Sequence, residues 1–355
     1  MENIRVNVEE ILRNSINAPS GSNSQPWKFL VKGSEIYILA FPENDHPILN
    51  YRSRGTWIAH GALIENIIIA ASKYAYKATP MIFPYDPKTH IIAKIKLEKS
   101  EDIAVNPLFE ILSKRTTNRK IYKKEKLNED QKNAIIGTIG GNNNIVFKLI
   151  EDREKINKIG NAVSANEIVT LENKKLHKLF FNEVIWTEKE NKKNPKGIFL
   201  KTMEFKPPQK LVFKLLRNWN VMKIANKIKF ARIIAKGNGK GYASCAAMGV
   251  IAVDNNDNDF IEAGRILERM WLEATKMNLS FHLITGIFFY WQAIKLGNSN
   301  ILNKEHQEII ENAYKETEES SGINDKIITI VCRIGKDGEP TGISTKLPPD
   351  IEYIS

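Results

Sequence analysis

Small polar residues are concentrated in residues 18–27, APSGSNSQPW, directly before a Trp. A stretch this rich in turn-forming residues is typical of a surface loop, and it raises the question of what its small polar groups hold. The six His are scattered through the sequence, and no two have metal-ligand spacing. The sequence contains neither a zinc motif nor a Ser-His-Asp constellation. Any chemistry is therefore expected to come from a cofactor, with no metal and no catalytic side chain.

Length and composition limit the class of protein. The chain has 355 residues, which at about 150 residues per domain suggests two domains or two halves of one large domain. A hydrophobic content of 42% and a charged content of 26% are typical of a soluble globular protein. The polar start MENIRVNVEEI predicts no secretory signal. Cys245 and Cys332 fit a reducing compartment, so we expect a cytoplasmic protein.

The net charge of +11 is concentrated in one segment. Residues 189–240 hold 15 Lys or Arg against two acidic residues, Glu190 and Glu204. Three interpretations of this segment are open: amphipathic helices that cover the core, a weak membrane-surface contact through 210–236, and a nucleic-acid module. We expect no nucleic acid, because no recognition motif accompanies the charge. The apolar residues expected to share helix faces are Leu211, Leu215, Trp219, Met222 and Ile233.

An internal repeat divides the chain. GALIENIIIAASKYAY (61–76) and GRILERMWLEATKMNL (264–279) align without a gap and match at Gly61 and Gly264, and at Glu65 and Glu268. Each has the apolar spacing of a helix that faces a core, and a strand-like run precedes each. The strands predicted to follow the two helices are HIIAKIKLE (90–98) and KIITIVCRIG (326–335). We therefore predict an α+β protein of two related halves, 1–105 and 106–355. The second half contains the helix that begins after Asn128, which is predicted to be its N-cap.

Four motifs in this order resemble the FMN-dependent nitroreductase family. APSGSNSQPW resembles its Ala-Pro-Ser loop, KRTTNRKIY (114–122) its basic opening, LITGI (283–287) its Pro-(Ile/Met)-x-Gly loop, and STKLP (344–348) its C-terminal basic strand end. The chain looks most like the long, duplicated, single-chain branch that includes a dormancy-associated mycobacterial member. The resemblance implies two tandem halves that form an intrachain pseudo-dimer, each with a mixed or antiparallel sheet flanked by helices.

Only one complete site is expected from this resemblance. Half one is too short before its loop to hold a basic opening, and half two has NAVSANEIVTLENKK where its own Pro-Ser-Asn loop would fall. The resemblance implies that Arg115 and Lys346 meet the FMN phosphate, that Arg119 stabilises negative charge at the flavin pyrimidine edge, and that the Gly286 amide lies near N5. The residues expected to bind FMN are Pro19, Ser20, Gly21, Asn23, Arg115, Thr116, Thr117, Arg119, Leu283, Thr285, Gly286, Ser344 and Lys346.

The resemblance implies an FMN-dependent oxidoreductase that passes electrons from NAD(P)H to a nitroaromatic, a quinone or a similar small acceptor. The alternative is a protein that binds FMN under a closed lid and turns over little NAD(P)H. The basic insertion at about 165–240 is the predicted lid. The expected assembly is a monomer or a loose homodimer. The physiological acceptor and the nicotinamide preference stay open. We expect Trp27 to be a core anchor and His60 a structural residue.

Overall fold

Two sheets organise the protein in a computed structural model that describes residues 2–45, 50–141, 143–297 and 300–354. Within these residues the strands are β1 (Trp27–Lys32), β2 (Glu35–Ala40), β3 (Tyr76–Ile82), β4 (Ile91–Lys99), β5 (Ile145–Ile150), β6 (Val184–Ile185), β7 (Ile198–Phe199), β8 (Ala247–Val253), β9 (Ser280–Ile284), β10 (Ile327–Gly335) and β11 (Ile351–Tyr353). The first sheet has the order β11-β1-β2-β4-β3 and the second β5-β8-β10-β9. The short strands β6 and β7 pair with each other.

The first sheet is mixed. Its neighbouring pairs β1–β2, β2–β4 and β3–β4 are antiparallel, and β11 adds to the edge of β1 in parallel. Strand β1 alternates buried and exposed residues, with Phe29 and Val31 in the core, as expected for a sheet with one covered face. Gly33 has φ +56° in the tight turn between β1 and β2, where a residue without Cβ is favoured.

The second sheet is antiparallel and repeats the arrangement of the first. Strands β5, β8, β10 and β9 follow the same order and pairing sense as β1, β2, β4 and β3. All seven residues of β8 are buried, because elements cover both of its faces. The two repeated units therefore share a strand order, in addition to the aligned amino-acid sequences 61–76 and 264–279.

Helices flank both sheets. Among the described residues they are α1 (Glu2–Ser15), α2 (Arg54–Lys73), α3 (Glu129–Ile136), α4 (Arg153–Val163), α5 (Ala165–Glu172), α6 (Lys174–Asn182), α7 (Glu188–Lys193), α8 (Pro207–Leu216), α9 (Trp219–Asn226), α10 (Phe230–Tyr242), α11 (Asp257–Lys276), α12 (Gly286–Lys295) and α13 (Lys304–Ser321). The α+β class predicted from the sequence is confirmed. None of these helices combines the length and apolar character that a bilayer crossing requires.

The two repeated helices, α2 and α11, cross at the glycines that align in the sequence. A Cβ on Gly61 would overlap the backbone carbonyl of Ile261, and a Cβ on Gly264 would overlap that of Ile58. The contact is reciprocal, because Ile58 and Ile261 also occupy equivalent positions of the repeat. Glycine at both positions lets the two backbones approach closely at the seam between the halves.

Several local expectations can be compared with the structure. Asn128 caps α3 in a capping box with Gln131, as predicted. Trp27 is 7% exposed in the core. His60 is fully buried, its Nδ1 lies 2.8 Å from the Thr56 carbonyl, and burial lowers its pKa to about 4. Both residues therefore have the structural environment that the sequence predicted.

Other features were not predicted. Strands β3 and β9 directly follow the repeated helices, but the sequence analysis placed the next strands later, at β4 and β10. The C-terminal strand β11 returns to the first sheet, and Lys346 and Leu347 before it also contact the first half. The division at residue 105 stays a prediction. Residues 207–242, which include most of the basic segment, form three helices, α8 to α10; Met222 is buried there, whereas Leu211, Leu215 and Ile233 are exposed rather than covering the core.

Candidate functional site

Three residues of the loop 18–27 have a left-handed backbone conformation. Ser22, Asn23 and Gln25 all have positive φ, between 47° and 56°. Non-glycine residues adopt this region at a cost and usually need fixed partners. The Ser20 hydroxyl accepts a bond from the Gln25 amide at 3.0 Å, and Ser24 donates to Asp45 at 3.0 Å. These bonds rigidify the loop, so its polar groups are presented in one fixed arrangement.

Arg115 lies between the two halves. Its side chain is 6% exposed, its Nε is 3.3 Å from Glu268 Oε1, and its guanidinium carbon is 4.5 Å from the Trp271 ring centroid. It also donates to the Asn17 carbonyl. Burial raises the pKa of Glu268 to about 7, against the opposing effect of Arg115. Among the described residues no donor has good hydrogen-bond geometry to either Glu268 oxygen, although the nearby Asn66 amide lowers the pKa of Glu268.

Lys346 reaches the same place from the C-terminal segment. Its Nζ donates to the Ala18 carbonyl at 2.8 Å and to Asn23 Oδ1 at 2.7 Å. Burial and, to a smaller extent, the neighbouring Arg115 together lower the pKa of Lys346 to about 7, against the opposing effect of Glu268. Leu347 donates its amide to Gln25 Oε1 at 2.8 Å, which fixes the segment against the loop. The ammonium is therefore held beside a second cation, an arrangement that an anion would stabilise.

These groups line one cleft with a cavity volume of about 170 Å³. The cleft-lining residues are Asn17, Pro19, Ser20, Ser22, Asn23, Ser113, Arg115, Thr116, Thr117, Arg119, Gly197, Ile198, Thr202, Ile343, Ser344 and Lys346. The structure thus brings together nine of the thirteen residues that the sequence analysis selected. Gly21 lies in the same loop but outside this lining.

The far wall of the cleft comes from the segment 183–203, inside the predicted lid. Asn23 Nδ2 donates to the Pro195 carbonyl at 2.6 Å, and Ser22 donates to Glu183 at 2.6 Å. Arg119 Nη1 donates to Thr202 Oγ1 at 3.0 Å. Sequence analysis missed this wall, because its residues carry no motif. It also missed Asn17 and Ser22, which adjoin or fall within the selected loop.

The predicted contacts to the flavin N5 region lie elsewhere. Leu283, Thr285 and Gly286 do not line the cleft. Thr285 is the N-cap of α12, and a Cβ on Gly286 would overlap the side-chain amide of Asn166. Among the residues that the structure describes, the buried Asn166 Oδ1 has no hydrogen-bond partner. In this conformation the Asn166 side chain covers Gly286, and the role of Leu283, Thr285 and Gly286 stays a prediction.

The cleft has the chemistry of an anion site. The buried cation Arg115 and the partly buried Lys346 line it together with Thr116, Thr117 and Ser344. These groups fit the phosphate of FMN. An anion would stabilise the charged form of Lys346, whose pKa is lowered, and Arg115 pairs with only one carboxylate. Within the described part of the chain, no group of three His, Cys, Asp or Glu could hold a metal ion.

Comparisons with known proteins are distant. No protein-family model matches the sequence. The chain is 21% identical over 283 residues to the uncharacterized protein MT1398 of Mycobacterium tuberculosis, which covers 79% of this chain. The chain spans 39% of the length of that relative.

Solved structures similar to this chain include nitroreductases. One is a nitroreductase with bound FMN from Bacteroides fragilis, at 11% identity and a TM-score of 0.36, covering 68% of this chain and 94% of the other. Another is an NADPH:FMN oxidoreductase from Vibrio harveyi, at 11% identity and a TM-score of 0.36, covering 68% of this chain and 74% of the other. At these levels of similarity the assignment of function rests on the geometry of the cleft.

Proposed function

We propose that the cleft binds one FMN and that the protein is an FMN-dependent oxidoreductase. The observation that carries the proposal is the meeting of Arg115 and Lys346, from remote parts of the sequence, with the rigid loop 18–27 in one cleft. The motifs that resemble the nitroreductase family supply exactly these groups. We also infer that the two halves act as an intrachain pseudo-dimer, since their sheets share one order and their helices cross at equivalent glycines.

The residues of the cleft divide the work of binding. Arg115 and Lys346 would hold the phosphate by charge-assisted hydrogen bonds, each worth roughly 1.5–3 kcal/mol. Thr116, Thr117 and Ser344 would add hydroxyl donors. Asn23 is fixed at the loop tip, with both ends of its amide already engaged. Binding would therefore exchange some of these internal hydrogen bonds for bonds to the ligand.

Bound FMN would supply hydride and electron transfer between NAD(P)H and a small acceptor such as a nitroaromatic or a quinone. Arg119 would place positive charge near the flavin, and its present partner Thr202 is neutral. Burial lowers the pKa of Arg119, so negative charge brought close to it would be stabilised. The protein's part is to bind, orient and tune, and no side chain is required as a nucleophile.

The direct experiment is reconstitution of the purified protein with FMN. We expect quenching of FMN fluorescence, a flavin visible spectrum after gel filtration, and oxidation of NADH or NADPH that depends on an added quinone or nitroaromatic. Lys346→Met is expected to weaken FMN binding by about tenfold. Protein that stays colourless and leaves FMN fluorescence unchanged would refute the binding proposal. Binding without oxidation of either nucleotide would refute turnover alone.

A second candidate function is storage or sequestration of FMN under a closed lid. It is favoured by the bonds that tie the segment 183–203 to the loop, from Ser22 to Glu183 and from Asn23 to Pro195. On this account Ser22→Ala is expected to speed FMN dissociation about fivefold, because one lid bond is lost. Stopped-flow release of FMN measures the rate. A Ser22→Ala protein that releases FMN at the parental rate would argue against lid closure as the holding element.

A further inference from the structure

Aliphatic side chains are exposed along three consecutive helices, α8, α9 and α10. Among the described residues 16 large hydrophobic side chains are exposed, and seven of them lie between positions 211 and 233. We refer to these seven as the 211–233 surface: Leu211, Val212, Leu215, Val221, Ile224, Ile228 and Ile233. Single exposed apolar residues are ordinary, whereas a concentrated group marks an interaction surface.

The core does not account for this surface. Along α9 and the turn after it, Val221, Ile224 and Ile228 repeat at the spacing of one helix face, and Ile228 is 71% exposed. The opposite faces are already packed, since Leu216 and Met222 are buried in a cluster that also contains Leu171 and Phe181. These helices are therefore apolar on both faces, and only one face is covered by the fold.

Unpaired cations accompany the exposed aliphatics. Residues 206–240 contain ten Lys or Arg and no Asp or Glu. In the part of the chain that the structure describes, Arg232 forms ion pairs, with Glu172 and Glu305, and the other nine form none. Long basic side chains can extend to a charged surface while their neighbours insert apolar groups. The segment thus combines positive charge and aliphatic area on one exposed stretch.

A pocket at the edge of the 211–233 surface adds a more specific feature. Lys174, Lys178 and Arg217 line it together with the rings of Phe181 and Trp219. The Arg217 guanidinium carbon also lies 5.1 Å from the centroid of a neighbouring indole. Three cations beside aromatic walls suit an anion with an apolar body. The phosphate of a phospholipid has this character, because its acyl chains continue from the charged group.

We propose that the protein docks on anionic phospholipid membranes through the 211–233 surface. The aliphatic side chains of α8 to α10 enter the boundary between headgroups and acyl chains, and the lysines contact anionic headgroups. The pocket of Lys174, Lys178 and Arg217 receives a headgroup phosphate. A second copy of this chain is disfavoured on the same surface, because it would bring ten like charges face to face.

Vesicle flotation at about 0.15 M salt tests the proposal. The probes are vesicles of phosphatidylcholine with phosphatidylglycerol, and vesicles of phosphatidylcholine alone. We expect the protein to float with the anionic vesicles only. Ile224→Ser with Ile228→Ser is expected to lower the partition coefficient about tenfold, because inserted apolar area is lost. Lys174→Gln with Lys178→Gln is expected to lower it about tenfold by removing two surface charges.

The matched control is Ile136→Ser with Met81→Ser, which removes exposed apolar side chains outside the 211–233 surface and is expected to leave flotation unchanged. Circular dichroism checks that each variant is folded. Three results would overturn the proposal: no flotation, flotation confined to low salt, or equal flotation of the Ile224 and Ile228 double variant. Light scattering tests the alternative that a second copy of this chain binds the surface. A parental protein with twice the monomer mass, together with a monomeric Ile224→Ser, Ile228→Ser variant, would assign the surface to self-association instead.

Discussion

Glu65 and Glu268 occupy equivalent positions of the repeated helices but have different surroundings. Glu65 accepts hydrogen bonds from Arg265 at 3.0 Å and from Arg269 at 2.8 Å, and both arginine side chains are 23% exposed. Glu268 is fully buried and forms one ion pair, with Arg115, while the Asn66 amide and Lys346 lie close enough to lower its pKa. One position thus joins two helices by an ion network of two arginines, and the other forms a single buried ion pair beside the cleft.

The difference indicates how two related halves can support one site. Both halves keep the glycines that let α2 and α11 cross, because each half needs the close approach. Of the two equivalent glutamates, only Glu268 lies next to the basic segment 114–122, through Arg115. A buried ion pair with few donors can gain hydrogen bonds from a ligand. A network whose charges are already paired has less to gain. The following predictions test this contrast, beginning with the crossing that the halves share.

Substitution at the crossing is expected to have the largest effect. Gly61→Ala or Gly264→Ala puts a Cβ into the opposite backbone carbonyl, so the helices must separate. We expect the free energy of unfolding to fall by about 3 kcal/mol or more, as in severe overpacking. Urea denaturation followed by circular dichroism measures the loss.

The control for this prediction is Gly237→Ala in α10. A Cβ at Gly237 meets no atom within 4 Å. This change is expected to leave stability unchanged or raise it by up to about 1 kcal/mol, because alanine favours the helix. If Gly264→Ala were as stable as Gly237→Ala, the close crossing of α2 and α11 would be contradicted.

Removal of one arginine is expected to destabilise the protein more at Glu268 than at Glu65. Arg115→Met leaves Glu268 buried without a cation, and we expect a loss of about 2 kcal/mol at pH 8. Arg265→Met leaves Glu65 with Arg269, at a cost below about 1 kcal/mol. Addition of Glu268→Gln is expected to restore much of the stability of Arg115→Met. Equal losses for the two arginine variants in urea denaturation would show that the positions do not differ.

The acid–base behaviour of the cleft is expected to give a smaller, pH-dependent effect. Burial lowers the pKa of Lys346 and raises that of Glu268, each to about 7. As pH rises through about 7, Lys346 loses its positive charge and Glu268 gains a negative charge. Both changes disfavour a bound phosphate, so FMN affinity should fall about tenfold between pH 7 and pH 8.5. Fluorescence titration at each pH measures the dissociation constant.

Variants assign this pH dependence to its two groups. Lys346→Met is expected to bind weakly at every pH in this range, and Glu268→Gln to retain only the part due to Lys346. The same titration applied to Glu65→Gln should change the parental profile only slightly, because Glu65 makes the smallest of the contributions to the pKa of Glu268. An affinity that is constant or rises above pH 7 in the parental protein would contradict the assigned pKa directions.

Much of the arrangement could be predicted from local sequence. Gly61, Gly264 and the two glutamates were recognisable because a duplication preserves spacing along the chain. Asn128 with Gln131 follows a capping rule that depends on four consecutive residues. The meeting of Arg115, Lys346 and the loop 18–27 was expected only through the resemblance of the motifs to a family, since no local rule brings residues so remote together.

Other features depend on contacts that leave no local pattern. The wall formed by Pro195, Gly197 and Thr202 follows from how an insertion folds back. The same is true of Asn166, whose side chain covers Gly286. Helical periodicity located the apolar residues of α8 to α10, but it could not say which face the core would take. Ile224 and Ile228 are therefore exposed although their spacing alone suits a buried face.

The most direct test of the central claim is the stoichiometry of FMN binding. Titration of the protein with FMN, followed by fluorescence and by equilibrium dialysis, counts the sites per chain. We predict one FMN per chain, with binding weakened by Arg115→Met and unaffected by Arg265→Met. Two equivalent sites per chain, or none, would contradict the account of two related halves that enclose a single cofactor.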